Sequence, residues 1–268
     1  MNIIVCVKQV PDTTEIRIDP VKKTLIRDGV PSILNTFDAY ALEQALQLKD
    51  KNPETKVYVV SMGPPQVEGM LKDCLAVGAD GAYLVTDRKF GGSDTLATSY
   101  ILTNAINKVK EEIGEVDLVF CGKQAIDGDT AQVGPEIAEQ LDIPQVTYGI
   151  AIELAEDKKS VKVTRELDNC NLVVECQVPC LVTFTKTDDL RYPTIKMKMK
   201  AKKATVNQFT VDDFPEIDQE RIGLMGSPTR VVKSFTPEQK VDGIIINEEE
   251  LEVGIDKFLA ELEAAKLY

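Results

Sequence analysis

The chain has 268 residues, 43% of them hydrophobic and 28% charged, a composition that suits a globular fold with one large core. Acidic residues outnumber basic ones 44 to 31, a formal charge of −13, and this disfavours nucleic acid as a partner because phosphate-binding surfaces are normally basic. Histidine is absent, so a Ser-His-Asp triad, a Cys-His dyad and a histidine-held metal are excluded, and any redox chemistry falls to a cofactor.

The N-terminal run IIVCVKQV (3–10) is apolar and rich in β-branched residues, as a buried strand requires, and Pro11-Asp12 ends it. Its apolar part is short and Lys8 follows, unlike a signal peptide. No apolar run approaches the roughly 18–20 residues of a membrane span. A cytoplasmic location without membrane insertion is expected. Residues 15–27 alternate in part and predict a surface hairpin turning near Asp19-Pro20.

A helix is predicted over 37–49, with Ala41, Leu42, Ala45, Leu46 and Leu48 on one face and Asp38 near its start. KVYVVS (56–61) reads as the next strand. Gly63-Pro64-Pro65 breaks it and opens a helix to about Val77, closed by Gly78. Residues 82–85 form a short strand. Ser93 or Asp94 then caps a long helix through about Glu112. VDLVFC (116–121) is a further core strand, followed by a Gly-rich loop and a helix to about Leu141. Residues 146–150 can be a fifth strand.

This alternation of strand and helix predicts an α/β fold with a doubly wound, mostly parallel sheet of Rossmann-like nucleotide-binding type. From 147 to 184 the rhythm changes to additional short β segments. A basic stretch follows with Lys196, Lys198, Lys200, Lys202 and Lys203, then an irregular run over 204–246. Asn247 is the expected cap of a terminal helix, 248–267, with Ile255, Phe258, Leu259 and Leu262 on one face. Residues 1–203 are thus read as a nucleotide-binding domain, with a β insertion at about 147–184 and a loop at about 185–195. Residues 204–268 are read as a C-terminal arm. Cys170, Cys176 and Cys180 lack the paired short-gap spacing of a zinc site and are expected to be plain thiols.

In open α/β sheets ligands lie beyond the carboxyl ends of the strands. The most informative loop there is GKQAIDGDTAQVG, 122–134. Gly122 and Gly128 allow close backbone approach. With Asp129 or Thr130 as helix cap, the N–H groups of Ala131, Gln132 and Val133 would point outward at the positive end of the helix and could hold a phosphate. A well-capped helix after a tight turn accounts for the same residues. Neither a Walker A loop nor G-x-G-x-x-G after the first strand is present, which disfavours a P-loop enzyme and a standard dinucleotide dehydrogenase.

At this point the residues resemble the beta (small) subunit of electron transfer flavoproteins. The matching pieces are VCVKQVPDT (5–13), GV-x-x-x-x-N (29–35), SMGPPQ (61–66), AVGAD (76–80), GKQAIDGDTAQVGPEIAEQL (122–141) and RYPTIKMKMKAKK (191–203), in order along nearly the whole chain. The resemblance implies an obligate heterodimer with an alpha subunit that carries the electron-shuttling FAD. It implies either AMP held as a structural ligand or, in the electron-bifurcating branch, a second FAD reduced by NADH. VPDT (10–13), GGSDTLAT (91–98) and DGDTAQVGP (127–135) look like that branch, whose electron acceptors would be ferredoxin or flavodoxin and, through the alpha subunit, an acyl-CoA-type dehydrogenase.

By the same resemblance Cys6, Asn35, Asp38, Met62 and the run Asp127, Gly128, Asp129, Thr130, Ala131, Gln132, Val133 and Gly134 would line the nucleotide. Cys6 reads equally as a core residue. Asp94, Thr95 and Thr98 could supply hydrogen bonds to a flavin ring, and N-capping explains them as well. The family anchors its partner dehydrogenase through a leucine on a protruding loop. Here TKTDDLRYP (185–193) is one residue shorter than the usual form, and Leu190 is the nearest candidate.

Overall fold

The computed structural model describes residues 1–12, 31–233 and 243–267. The hairpin expected at 15–27 lies outside them. The described residues up to Val232 form a main unit, and the terminal helix belongs to a second.

The main unit is built on a nine-stranded sheet. Its strands are β1 (Asn2–Cys6), β4 (Lys56–Met62), β5 (Gly81–Val85), β6 (Leu118–Gly122), β7 (Gln145–Leu154), β8 (Ser160–Glu166), β9 (Asn171–Gln177), β10 (Cys180–Phe184) and β11 (Asn207–Phe209). Their order is β11-β5-β4-β1-β6-β10-β7-β8-β9, parallel from β11 through β7 and antiparallel from β7 to β9. Short strands β2 (Gln9–Pro11) and β3 (Ser32–Leu34) pair separately, antiparallel.

β1 lies between β4 and β6, and helices cover both of its faces, so its residues are apolar without alternation. Ile3 and Val5 face α1 (Thr36–Lys51) and α2 (Glu68–Val77), whereas Ile4 and Cys6 face α3 (Thr95–Ile113) and α4 (Val133–Gln140). Gly78 ends α2 at φ 134°, a conformation that suits glycine, and packs over Leu46 of α1. Asp94, rather than Ser93, caps α3: its carboxylate accepts from the Ala97 N–H at 3.1 Å.

Three expectations change. First, part of the stretch 204–246 belongs to the main unit. β11 extends the sheet beside β5, Phe209 stacks on Tyr83 with centroids 5.5 Å apart, and Val211, Phe214, Ile217 and Ile222 are buried against α3. Their apolar residues are spaced irregularly because they pack from turns, which gives no period to read. Second, the last helix, α6 (Leu251–Ala264), starts at Glu250 and not Asn247, while Glu248 is drawn to Lys257 at 2.5 Å. Third, α4 starts at Val133, later than a cap at Asp129 or Thr130 requires. α5 (Ile195–Lys202) carries the lysine run and buries only Ala201. Among the described residues no helix is long and apolar enough to cross a membrane.

Candidate functional site: a cleft at the carboxyl ends of the strands

The carboxyl ends of β1, β4 and β6 open onto a cleft of about 350 Å³, whose walls include Cys6, Lys8, Asp38, Met62, Thr98 and the loop 122–134. A second cavity of about 460 Å³ shares Asp94, Thr95, Thr130 and Gln132 with it and adds Leu96, Glu136, Pro228 and Thr229. Each lies within the usual range of small-molecule sites, roughly 300–1,000 Å³.

The floor is rigid for a specific reason. Gly122 leaves β6 directly against the start of α1, where a Cβ would stand 2.3 Å from Asp38 Oδ1 and 2.6 Å from the Phe37 carbonyl carbon. That contact lets the Asp38 carboxylate accept from the N–H groups of Lys8 (2.8 Å) and Gly122 (3.1 Å), tying the ends of β1 and β6 to α1. Burial pushes the Asp38 carboxyl up to about 7, against the opposing pull of Asn35 and these two N–H groups.

Asn35 is fully buried and holds the loop from behind. Its Nδ2 donates to the Gln124 carbonyl (2.8 Å), and its Oδ1 accepts from the Ile126 N–H (3.0 Å). Lys8 pairs with Asp127 at 2.6 Å, and Gln124 Nε2 donates to Asp129 at 2.7 Å. Asn35, Asp127 and Asp129 therefore shape the loop, while Gly128, Thr130, Ala131, Gln132, Val133 and Gly134 line the cleft.

Asp129 (φ 50°) and Ala131 (φ 53°) both adopt the left-handed conformation, which costs an L-residue roughly 1–2 kcal/mol. These two kinks delay α4 until Val133, which is why neither Asp129 nor Thr130 caps it. They also leave the N–H groups of residues 130–134 without an acceptor among the described residues. Above Gly128 nothing lies within 4 Å of where a Cβ would be, so no protein contact demands glycine there. Gly134 differs, since a Cβ would meet Thr183 Cγ2 at 2.7 Å, and it seats α4 on β10. Strained backbone, open donors and free space over one glycine together fit an anionic ligand such as a nucleotide phosphate.

The opposite wall is spent internally. Besides capping α3, Asp94 accepts from the N–H and hydroxyl of Thr229 at 3.0 and 2.8 Å. Burial would raise its carboxyl, but these hydrogen bonds outweigh it and hold the group below the ordinary range. Thr95 Oγ1 reaches Gln132 Oε1 at 3.1 Å and Glu136 Oε1 at 3.3 Å, bridging the starts of α3 and α4. Thr98 and Met62 are half-buried in the first cavity. Cys6 is both core and floor: it pairs in register with Cys121, whose thiol is raised first by the neighbouring Cys6 thiol and then by burial.

The sequence placed Lys8 and Gln124 in loops at the strand ends but gave neither a role, and it did not point to Glu136 or Thr229. Thr229 meets Asp94 across 135 positions, and no local pattern encodes such a contact. Leu190 lies outside the cleft and is part-exposed. Its neighbour Arg191 grips the buried Glu43 of α1 through Nε (2.9 Å) and Nη2 (3.0 Å) and reaches Asp50 at 2.8 Å. This bidentate pair anchors the loop that presents Leu190.

The electron transfer flavoprotein domain matches residues 22–214. The electron transfer flavoprotein subunit beta of Megasphaera elsdenii is 48% identical over 272 residues, covering all of both chains. This chain belongs to the electron transfer flavoprotein family. Its similarity is to beta-type subunits in particular, including that of Thermoanaerobacterium thermosaccharolyticum, 52% identical across 91% of this chain and 92% of the relative. The caffeyl-CoA reductase-Etf complex subunit CarD of Acetobacterium woodii is 51% identical across 92% of both chains.

Proposed function

We propose that the cleft holds FAD, that NADH reduces it, and that the chain works as the beta subunit of a cytoplasmic, electron-bifurcating heterodimer. Bound FAD would supply the chemistry, taking a hydride and parting its electrons between a low-potential acceptor (ferredoxin or flavodoxin) and the alpha-subunit FAD that serves an acyl-CoA-type dehydrogenase. The observation that carries this reading is that the two cavities adjoin, with Asp94, Thr95, Thr130 and Gln132 in the walls of both. A mononucleotide can end at the loop 130–134, whereas a dinucleotide needs the room that runs on past Thr95 to Thr229.

The names of two relatives are in keeping with it. CarD is a subunit of a caffeyl-CoA reductase-Etf complex, and a protein 45% identical over 97% of this chain is the acryloyl-CoA reductase electron transfer subunit gamma of Anaerotignum propionicum.

In this reading the N–H groups of 130–134 and the Thr130 hydroxyl bind phosphate. Asn35 and Asp38 fix the loop that offers them, and Thr95 and Thr98 face the ring. Leu190 meets the dehydrogenase, and the segment 243–267 contacts the alpha subunit through Ile255, Phe258 and Leu259, which are exposed here. One observation favours AMP instead: Asp94 and Thr95 already have partners within the protein, as a purely structural wall would. Anaerobic titration of the purified complex with NADH separates the two readings. Bleaching of a beta-subunit flavin supports FAD, and a complex in which NADH reduces no such flavin refutes it.

A further inference from the structure

Behind Thr95 lies a cluster with more acceptors than donors. Glu136, in the first turn of α4, has Oε1 against the Thr95 hydroxyl, while its Oε2 is buried without a partner. One turn later on the same face, Gln140 donates from Nε2 to Ser99 Oγ at 2.8 Å, and its Oε1 is likewise buried and unpartnered. The Ser99 hydroxyl also lies beside the Glu136 carboxyl, but its one proton goes to the Leu96 carbonyl at 2.9 Å and so does not serve Oε2. Thr95 has one proton for two oxygens, Gln132 Oε1 and Glu136 Oε1. Two oxygens, Glu136 Oε2 and Gln140 Oε1, are thus left without a donor, and a buried acceptor left unpaired costs roughly 1–3 kcal/mol.

We propose that Glu136 is a carboxylic acid in the resting protein, its O–H directed to Gln140 Oε1, and that it exchanges this proton with the ring of the cleft's occupant through Thr95. One added hydrogen satisfies both orphan oxygens. The environment agrees: burial raises the Glu136 carboxyl more than the Ser99 and Thr95 hydroxyls lower it, and Asp94, the charged group that acts on it from the α3 side, adds negative charge.

In the transfer, a half-turn of the carboxyl brings its O–H to Thr95 Oγ1. Thr95 accepts that proton as it gives its own to the occupant, and Glu136 is left as carboxylate until solvent returns a proton. The occupant is a redox-active heteroaromatic ring that takes up a proton with its electrons. That half of the proposal rests on the function proposed above, and the resting protonation of Glu136 does not.

Infrared difference spectroscopy on the purified heterodimer, comparing wild type with Glu136→Gln, tests the resting state. The wild type should show a deuterium-sensitive carboxylic-acid carbonyl band near neutral pH that Glu136→Gln removes and Thr95→Val keeps. The Gln amide provides the missing donor, so that variant should fold. The pH profile of flavin reduction by NADH then tests the relay, and both variants should flatten it. A wild type without such a band, or an unchanged profile in Glu136→Gln, overturns the proposal. A complex that holds AMP in the cleft overturns the relay together with the FAD reading, while the band still decides where the proton rests.

Discussion

The two walls of the cleft look alike in sequence and behave oppositely. Both GGSDTLAT and DGDTAQVGP offer small residues, an aspartate and a threonine ahead of a helix. On the α3 side the pattern does what capping chemistry expects. Asp94 takes the Ala97 N–H, and its remaining capacity goes to Thr229. On the α4 side Asp129 is diverted to Gln124, two residues turn left-handed, and five N–H groups stay open. The comparison teaches that a capping signature marks a helix start without saying whether its donors are consumed. Among the described residues, only the wall that fails to cap itself keeps N–H donors open for an anion.

The largest effect that could break this contrast lies beneath it. Gly122→Ala puts a methyl group against backbone atoms of α1 that cannot yield, so a loss of about 3 kcal/mol is expected, the upper end for overpacking. Denaturant unfolding of the heterodimer measures it, and a wild-type midpoint would show that the floor is softer than described. Next, Thr130→Ala should weaken nucleotide retention by the roughly 1.5–3 kcal/mol of one charge-assisted contact. Gly128→Val should do so as well, yet leave folding nearly untouched because the space above it is open. Equilibrium dialysis of released nucleotide separates the two effects, and unchanged retention in both variants would move the anion elsewhere.

Leu190→Ala should lower electron transfer to the dehydrogenase about tenfold, as loss of a modest anchor worth about 1.4 kcal/mol would. Flavin content should be unaffected. Asp94→Ala is the smallest: about 1 kcal/mol of stability for a lost cap, with nucleotide retention changed far less than by Thr130→Ala. A larger loss of nucleotide from Asp94→Ala would reverse the roles assigned to the two walls.

A pH experiment sharpens the account of the floor. The Asp38 carboxyl is raised from an ordinary 3.8 to about 7. Its folded form therefore holds a proton that its unfolded form releases, and its contribution to stability is full below the ordinary value and lost as pH rises through about 7. Stability measured from pH 4 to 8 should carry this downward slope, and Asp38→Asn should abolish it. Asn at 38 should also lower stability overall, since its amide nitrogen cannot accept from Lys8 or Gly122.

The sheet was readable because buried parallel strands are continuous apolar runs, as at 3–7, 57–60 and 118–121, but the expected strand 3–10 breaks after Cys6, and Gln9–Pro11 pairs in the separate small sheet. The loop 122–134 was readable because glycine and small polar residues cluster between a strand and a helix. The start of α4 was not, since left-handed Asp129 and Ala131 are set by the clamp from Asn35 and Gln124 rather than by their own propensities. The same limit hid the Arg191–Glu43 anchor, formed across 148 positions, and the docking of 207–222, whose apolar residues follow neither helical nor strand spacing.

The central claim, that the open-donor wall and the room beyond Thr95 serve one dinucleotide, is tested most directly by releasing the nucleotides from the purified heterodimer and counting them. Two FAD and no AMP per heterodimer is the predicted result. One FAD with one AMP would contradict it and leave the second cavity without the occupant assigned to it.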